Sequence, residues 1–295
     1  MKTINFMRPR KLWFGISLTL LAVGLIFLII SGGLNLGMDF VGGSSIHATI
    51  GKAFEVSEIR DIMDKYDPNA TITYAGQNRD QVIVRTKISF DNEKRAEIVK
   101  AFTEKYSLES NNISFETIGP TVGKELAKQS LIALLLAFVG IMVYVSFRFE
   151  WRFGLASIAA LIHDVAIMVA AYAILQIPVN GTFIAALLTI IGYSINATIV
   201  IFDKIRENIK SERGRKIDYD NLVNVSVTQT LNRSINTSLT TLITIFALYF
   251  LGVPAIKDIA FPMIVGIISG CYSSVLIASP LWVVLRRRFK VSGAR

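Results

Sequence analysis

The chain is poor in the residues that enzymes and disulfide-built proteins rely on. Of its 295 residues, one is a cysteine (Cys271), so no disulfide can form within the chain; two are histidines, His47 and His163. Structural zinc takes four Cys or His ligands, so this supply argues against a metal centre. No G-x-S-x-G, phosphate-loop or H-E-x-x-H pattern occurs. Charged residues make up 18% of the chain, below the roughly 25% of soluble domains, while 52% are hydrophobic. This composition excludes an ordinary soluble enzyme, and neither enzymatic activity nor a cofactor is expected.

What the chain has instead is apolar sequence gathered into blocks. Residues 13–31 carry no charge, a run close to the roughly 20 residues needed to cross a bilayer. Further blocks cover residues 129–147, 153–175, 182–202, 234–251 and 259–285, which makes six expected spans. A cleaved signal peptide is the alternative for the first block. No small-x-small cleavage site follows it, and the run exceeds a signal h-region, so an uncleaved span is expected.

The net charge of +9 would suggest a nucleic-acid partner if it were spread over a soluble surface. It is not spread. Four basic residues and no acid precede the first span; five basic residues and no acid follow the last. Residues 148–152 are net positive, residues 203–220 carry six basic against five acidic residues, and the loops 176–181 and 252–258 are neutral. The positive-inside rule then puts both termini and the 203–233 connection in the cytoplasm, with residues 35–125 outside the cell membrane. The charge is a topology signal, and no nucleic-acid partner is expected.

Residues 35–125 hold 11 basic and 14 acidic residues. Residues 44–50 alternate as a strand, 56–66 read as an amphipathic helix, and 71–74 and 81–90 as strands. Asp91 is placed to cap a helix ending near Tyr106, and 113–118 read as a last strand. The order β-α-β-β-α-β predicts a ferredoxin-like α+β domain inserted between the first two helices of a polytopic α-helical membrane protein. The expected units are residues 1–34 with the first span, the outer domain 35–125, spans two to six over 126–285, and a basic tail 286–295. His47 reads as a surface or packing residue of the first strand.

Polar groups inside a membrane are expensive and therefore are the first candidates for function. His163 and Asp164 lie in the third span; either they hydrogen-bond helices together or Asp164 handles a proton. In the fourth span Thr189, Gly192, Asn196 and Asp203 recur on one helix face, with Thr198 in the same motif. In the fifth, Arg233, Thr237, Thr240 or Thr241, and Thr244 form a second stripe. Such stripes either pack helices or line a pathway, and Arg233 could snorkel to the interface. In the sixth, Gly266, Ser269, Gly270, Ser273 and Ser274 make a small-residue face for which packing is a sufficient account.

Five motifs in order resemble the SecF family, six-span partners of SecD in bacterial protein export. They are residues 35–46 (NLGMDFVGGSSI, with Asp39, Gly42 and Gly43), 148–168 (RFEWRFGLASIAALIHDVAIM), 192–208 (GYSINATIVIFDKIREN), 231–242 (LNRSINTSLTTL) and 260–281. The resemblance implies a resistance-nodulation-division architecture completed by SecD, beside the SecY-SecE-SecG channel, with an unfolded polypeptide in transit and lipid around it. It implies use of the proton motive force, or of sodium in some bacteria, to assist late export. A charge moving down such a gradient supplies about 2.3 kcal/mol per 100 mV.

The family motif in span four usually reads Asn-Asp-Thr, the acid forming a relay with the arginine that Arg233 matches. Here it reads Asn196-Ala197-Thr198. Alanine binds no proton, so the resemblance implies that Arg233 pairs with an acid from SecD. Two other readings stay open: a passive scaffold for SecD, and a half-size transporter of drugs or lipids. The glycines of residues 31–43 serve either as a hinge for the outer domain or as a tight turn.

Overall fold

The computed structural model describes residues 3–76, 78–212 and 217–289; Lys2, residues 213–216 of the basic loop and residues 290–295 of the basic tail lie outside the described residues. Six helices among the described residues are long and apolar enough to cross a membrane. They are α1 (Arg10–Ile30), α5 (Pro120–Arg148), α6 (Trp151–Leu175), α7 (Gly181–Ser211), α8 (Tyr219–Leu251) and a last segment that begins as α9 (Pro254–Ser273).

Several of these helices outrun their apolar blocks. α8 starts 15 residues before residue 234 because Asp218 caps it, accepting from the backbone N–H groups of Asp220 and Asn221. α5 begins at Pro120, whose missing N–H costs nothing in a first turn. Hydropathy marks only the part of a helix that meets lipid, so it cannot see these extensions. The sixth segment is also interrupted. A π turn, Ser274–Ala278, separates α9 from α10 (Ser279–Arg288). Pro280 has no N–H for the carbonyl four residues back, and the widened turn absorbs that mismatch.

Lipid tails are as apolar as leucine, so helices here associate through close packing rather than through expulsion of water. α6, α7 and α9 form the centre, with α1 and α5 against α6 and α8 against α7 and α9. The α7–α9 contact depends on small residues. A Cβ on Gly266 would sit 2.6 Å from the Ile190 side chain, and one on Gly270 would sit 3.0 Å from Ser194. At one end Phe153, Phe202 and Trp282 stack with centroids 4.7 Å apart. That end also gathers the basic segments: Arg287 pairs with Asp220 at 2.9 Å, Arg286 with Glu150 at 3.4 Å, and the Phe6 and Met7 N–H groups donate to Asn224.

The sheet domain between α1 and α5 begins after a short helix α2 (Met38–Val41). Its four strands are β1 (Gly43–Thr49), β2 (Thr71–Ala75), β3 (Gln81–Thr86) and β4 (Ile113–Ile118), in the antiparallel order β2-β3-β1-β4. With α3 (Val56–Met63) and α4 (Asn92–Tyr106) this is the ferredoxin-like arrangement. Alternation puts Ile46, Ala48, Val82 and Val84 on the face covered by Ile59, Met63, Ile98 and Phe102, all buried. Full burial of such a side chain stabilises by about 1.5–3 kcal/mol. Asp91 caps α4 by accepting from the Lys94 N–H at 2.9 Å. His47 lies part-exposed, 3.1 Å from the Ser45 hydroxyl. The strand read as 81–90 stops at Thr86, where the Thr86 hydroxyl turns to the buried Asp67 carboxylate.

Two tyrosines tie this domain's stability to pH. Burial, then the hydrogen bond to Glu58 at 2.7 Å and its charge, push the Tyr106 phenol well above its ordinary value; burial and Glu97 raise Tyr66. A phenol raised in the folded state contributes stability that is full below the unfolded value of about 10 and is lost as pH rises past it. The sheet domain should therefore melt at lower temperature above about pH 10. Tyr106→Phe should remove part of that decline and cost about 1 kcal/mol at neutral pH. Melting curves of both proteins at the two pH values check this.

Candidate functional site

Asp164 occupies the middle of α6 and is 1% exposed. Its carboxylate is met from two other helices. Ser194 of α7 donates to Oδ2 at 2.6 Å, and Ser273 of α9 donates to the same oxygen at 2.8 Å. Ser269 of α9 donates to Oδ1 at 2.6 Å, and His163 Nδ1 lies 3.2 Å from it. Ser269 and Ser273 are one helical turn apart, which puts both hydroxyls on the same side of α9. The small-residue face of α9 thus does more than pack: its glycines let α7 approach, and its serines supply the donors. Of these three serines, the sequence reading passed over Ser194 and took Ser269 and Ser273 for packing residues alone. Their one signal is the i, i+4 spacing of Ser269 and Ser273 in a helix that faces an acid-bearing span.

The residues of the fourth and fifth spans fall into two places. Thr198 is buried, and its hydroxyl donates to the Ser194 carbonyl at 3.3 Å, beside the Asp164 site. Thr189, Gly192, Asn196 and Asp203 all lie on the opposite, exposed side of α7. Across a shallow recess of about 60 Å³, Asn196 and Ala197 face Arg233, Ser234 and Thr237 of α8. Tyr193 bridges the two helices by donating to Thr241 at 3.3 Å.

Arg233 is exposed, and among the described residues no carboxylate lies within ion-pair distance of its guanidinium. Thr237 and Thr240 are exposed as well; their hydroxyls bond back to carbonyls of their own helix. Asp203 lies further along α7 and pairs with Arg148 at 3.8 Å. The result is a polar strip along two helices whose other surface residues, Ile235, Leu239 and Ile243, are apolar.

Asp39, Gly42 and Gly43 lie at the junction of membrane and outer domain. Asp39 Oδ2 accepts from the Gly181 N–H at 2.7 Å, at the start of α7, where a negative charge complements the helix dipole. The Gly37 N–H donates to the Val179 carbonyl and the Val179 N–H to the Asn35 carbonyl, both at 2.8 Å. Gly42 and Gly43 have φ of +87° and +149°, and a Cβ on Gly43 would lie 2.1 Å from the Thr86 carbonyl oxygen. This is the geometry of a tight, pinned turn. Arg85 of β3 adds an ion pair with Asp258 at 3.1 Å, so the sheet is held to the start of α9.

The family of protein export membrane protein SecD/SecF, C-terminal, matches residues 98–288. The chain belongs to the SecD/SecF family. It is 37% identical to the protein translocase subunit SecF of Haemophilus influenzae, over 93% of this chain and 83% of that protein. It is 38% identical to the SecDF of Thermus thermophilus, over 98% of this chain but 40% of that one. The crystal structure of Thermus SecDF, a translocon-associated membrane protein, superposes with a TM-score of 0.82 at 37% identity, covering 97% of this chain and 39% of that chain. SecDF in a super-membrane-facing form gives 0.72, again covering 39% of that chain. Six membrane helices and one small sheet are therefore what this chain shares with SecDF. Asp164, Asn196, Thr198 and Arg233 all lie in the matched SecD/SecF region.

The two polar sites should respond oppositely to truncation. Asp164→Ala leaves three buried hydroxyls without their acceptor and should destabilise the chain by on the order of 3 kcal/mol. Arg233→Ala removes a charge that has no ion-pair partner among the described residues and should leave stability unchanged or raise it. Unfolding of the purified chain in detergent measures both.

Proposed function

We propose that this chain is the SecF-type half of an export machine. Paired with a SecD-type protein, it assists unfolded polypeptides through the SecY-SecE-SecG channel by drawing on the transmembrane ion gradient. One observation carries the reading: the polar strip of α7 and α8, with Arg233 lacking an acid among the described residues. Placing an arginine at the centre of a membrane helix costs at least about 2.5 kcal/mol on insertion scales. A second bundle that covers the strip and offers a carboxylate offsets that cost, and the length by which SecDF exceeds this chain leaves room for one.

In this reading the basic end of the bundle faces the cytoplasm, in a cell membrane. The clustering of the N-terminal segment, residues 148–152 and Arg286–Arg287 on one side agrees with it. The outer domain then faces the emerging polypeptide. Arg233 and a partner acid, with Asn196 and Thr237 beside them, would form the titratable crossing that the gradient drives. Ala197 favours a second reading, because the carboxylate usual at that place is missing: the chain holds SecD beside the channel without coupling to ions.

Translocation into vesicles that contain both subunits separates the two. Under coupling, collapsing the ion gradient slows export severalfold, and Arg233→Met gives the same slow rate whether the gradient is present or not. If neither change alters export, the coupling reading fails and the scaffold stands.

A further inference from the structure

We infer that His163 and Asp164 form a proton-holding site inside this chain's own bundle, separate from the Arg233 strip. Lysine, arginine or backbone N–H groups can only donate, so they suit a carboxylate and resist a carboxylic acid. Here Ser194, Ser269 and Ser273 all offer hydroxyls, which donate to an anion and turn to accept from an acid. Ser273 has a second acceptor ready, the Gly270 carbonyl at 3.4 Å. The pocket therefore serves both charge states of the acid without rebuilding.

Charge balance points the same way. A lone buried charge is costly, and among the described residues the one group within ion-pair distance of Asp164 that can take up a positive charge is His163. That partner is itself titratable, so neutrality of the pair depends on a proton and not on a permanent cation. His163 is 8% exposed, and its Nε2 is buried without a hydrogen-bond partner among the described residues. The pair thus has one saturated end, the carboxylate, and one open end, Nε2.

The elements packed on α6 bring few other ionisable groups to it. Tyr272 of α9 stacks on the imidazole with centroids 5.9 Å apart, its hydroxyl donating to the Trp13 carbonyl of α1 and accepting from Ser17. α7 contributes Ser194 and Thr198, and α5 meets α6 through Met142 and Ser146 around Gly154. Arg152, Glu150 and Arg286 pair with one another at the far end of α6.

Uptake moves one proton and breaks no heavy-atom bond. Before it, Nδ1–H donates to the Asp164 carboxylate and Nε2 carries a lone pair. After it, either both ring nitrogens carry protons beside a carboxylate, or Nε2 carries one and Nδ1 accepts from the Asp164 carboxyl. The proton belongs to the pair in both forms, and the pair's charge rises from −1 to 0. Ser273 immediately precedes the π turn of the last span, so a change in its hydrogen bond falls where that helix is interrupted.

The chain's two histidines make the test clean. With His47→Gln, histidine-labelled full-length protein in lipid gives ¹⁵N signals from His163 alone. Each form of the pair changes the state of at least one ring nitrogen, so uptake is visible wherever the proton rests. Spectra are recorded from about pH 9 down to pH 4, and the expected result is one change in the state of the ring nitrogens. Ser273→Ala weakens the anionic form and should move the midpoint up by about one pH unit. A spectrum unchanged across that range overturns the proposal, and so does a midpoint that Ser273→Ala leaves in place. Neither readout involves export, so the outcome is independent of how Arg233 works.

Discussion

A carboxylate in the middle of apolar helices has to be solvated by protein, and that requirement organises the membrane half of this molecule. Asp164 takes its donors from two helices far away in sequence, α7 through Ser194 and α9 through Ser269 and Ser273. The donors reach it only because α7 and α9 approach at Gly266 and Gly270. The three central helices are thus fixed in rotation as well as in distance. α1, α5 and α8, with most of their surface free of the bundle, pack around them.

That central arrangement decides which faces are left over. With Ser194, Thr198 and Ile201 turned inward on α7, the helical period turns Thr189, Gly192 and Asn196 outward, and Asn196 lies beside Arg233 of α8. The chain therefore carries one polar site whose carboxylate is satisfied within its own bundle and one that is open to a partner. The second is proposed to be completed by the SecD-type bundle, since Ala197 beside Arg233 offers no carboxylate of its own.

Much of this was legible in the residues. Apolar blocks gave six spans, and alternation with capping signals gave the ferredoxin-like order, because both are local periodic patterns. The exposed face of α7 was legible for the same reason. The Asp164 pocket was not. Serines in membrane helices most often satisfy their own backbone, and nothing in a single sequence says that residues 194, 269 and 273 converge on residue 164. The grouping of Thr198 with Asn196 followed the motif instead of the helix, which turns the two to opposite sides. The extension of α8 to Tyr219, the π turn at Ser274 and the pinning of Asp39 against Gly181 depend on caps, a proline and long-range backbone contacts that hydropathy does not register.

The central claim is that the Arg233 strip is a half-site awaiting a second bundle. The most direct measurement places a photo-crosslinking residue at position 196, in the recess beside Arg233, and illuminates intact membranes that contain a SecD-type protein. The account predicts a dominant crosslink into a membrane span of that protein, next to an acidic residue. Crosslinks to lipid alone would contradict it.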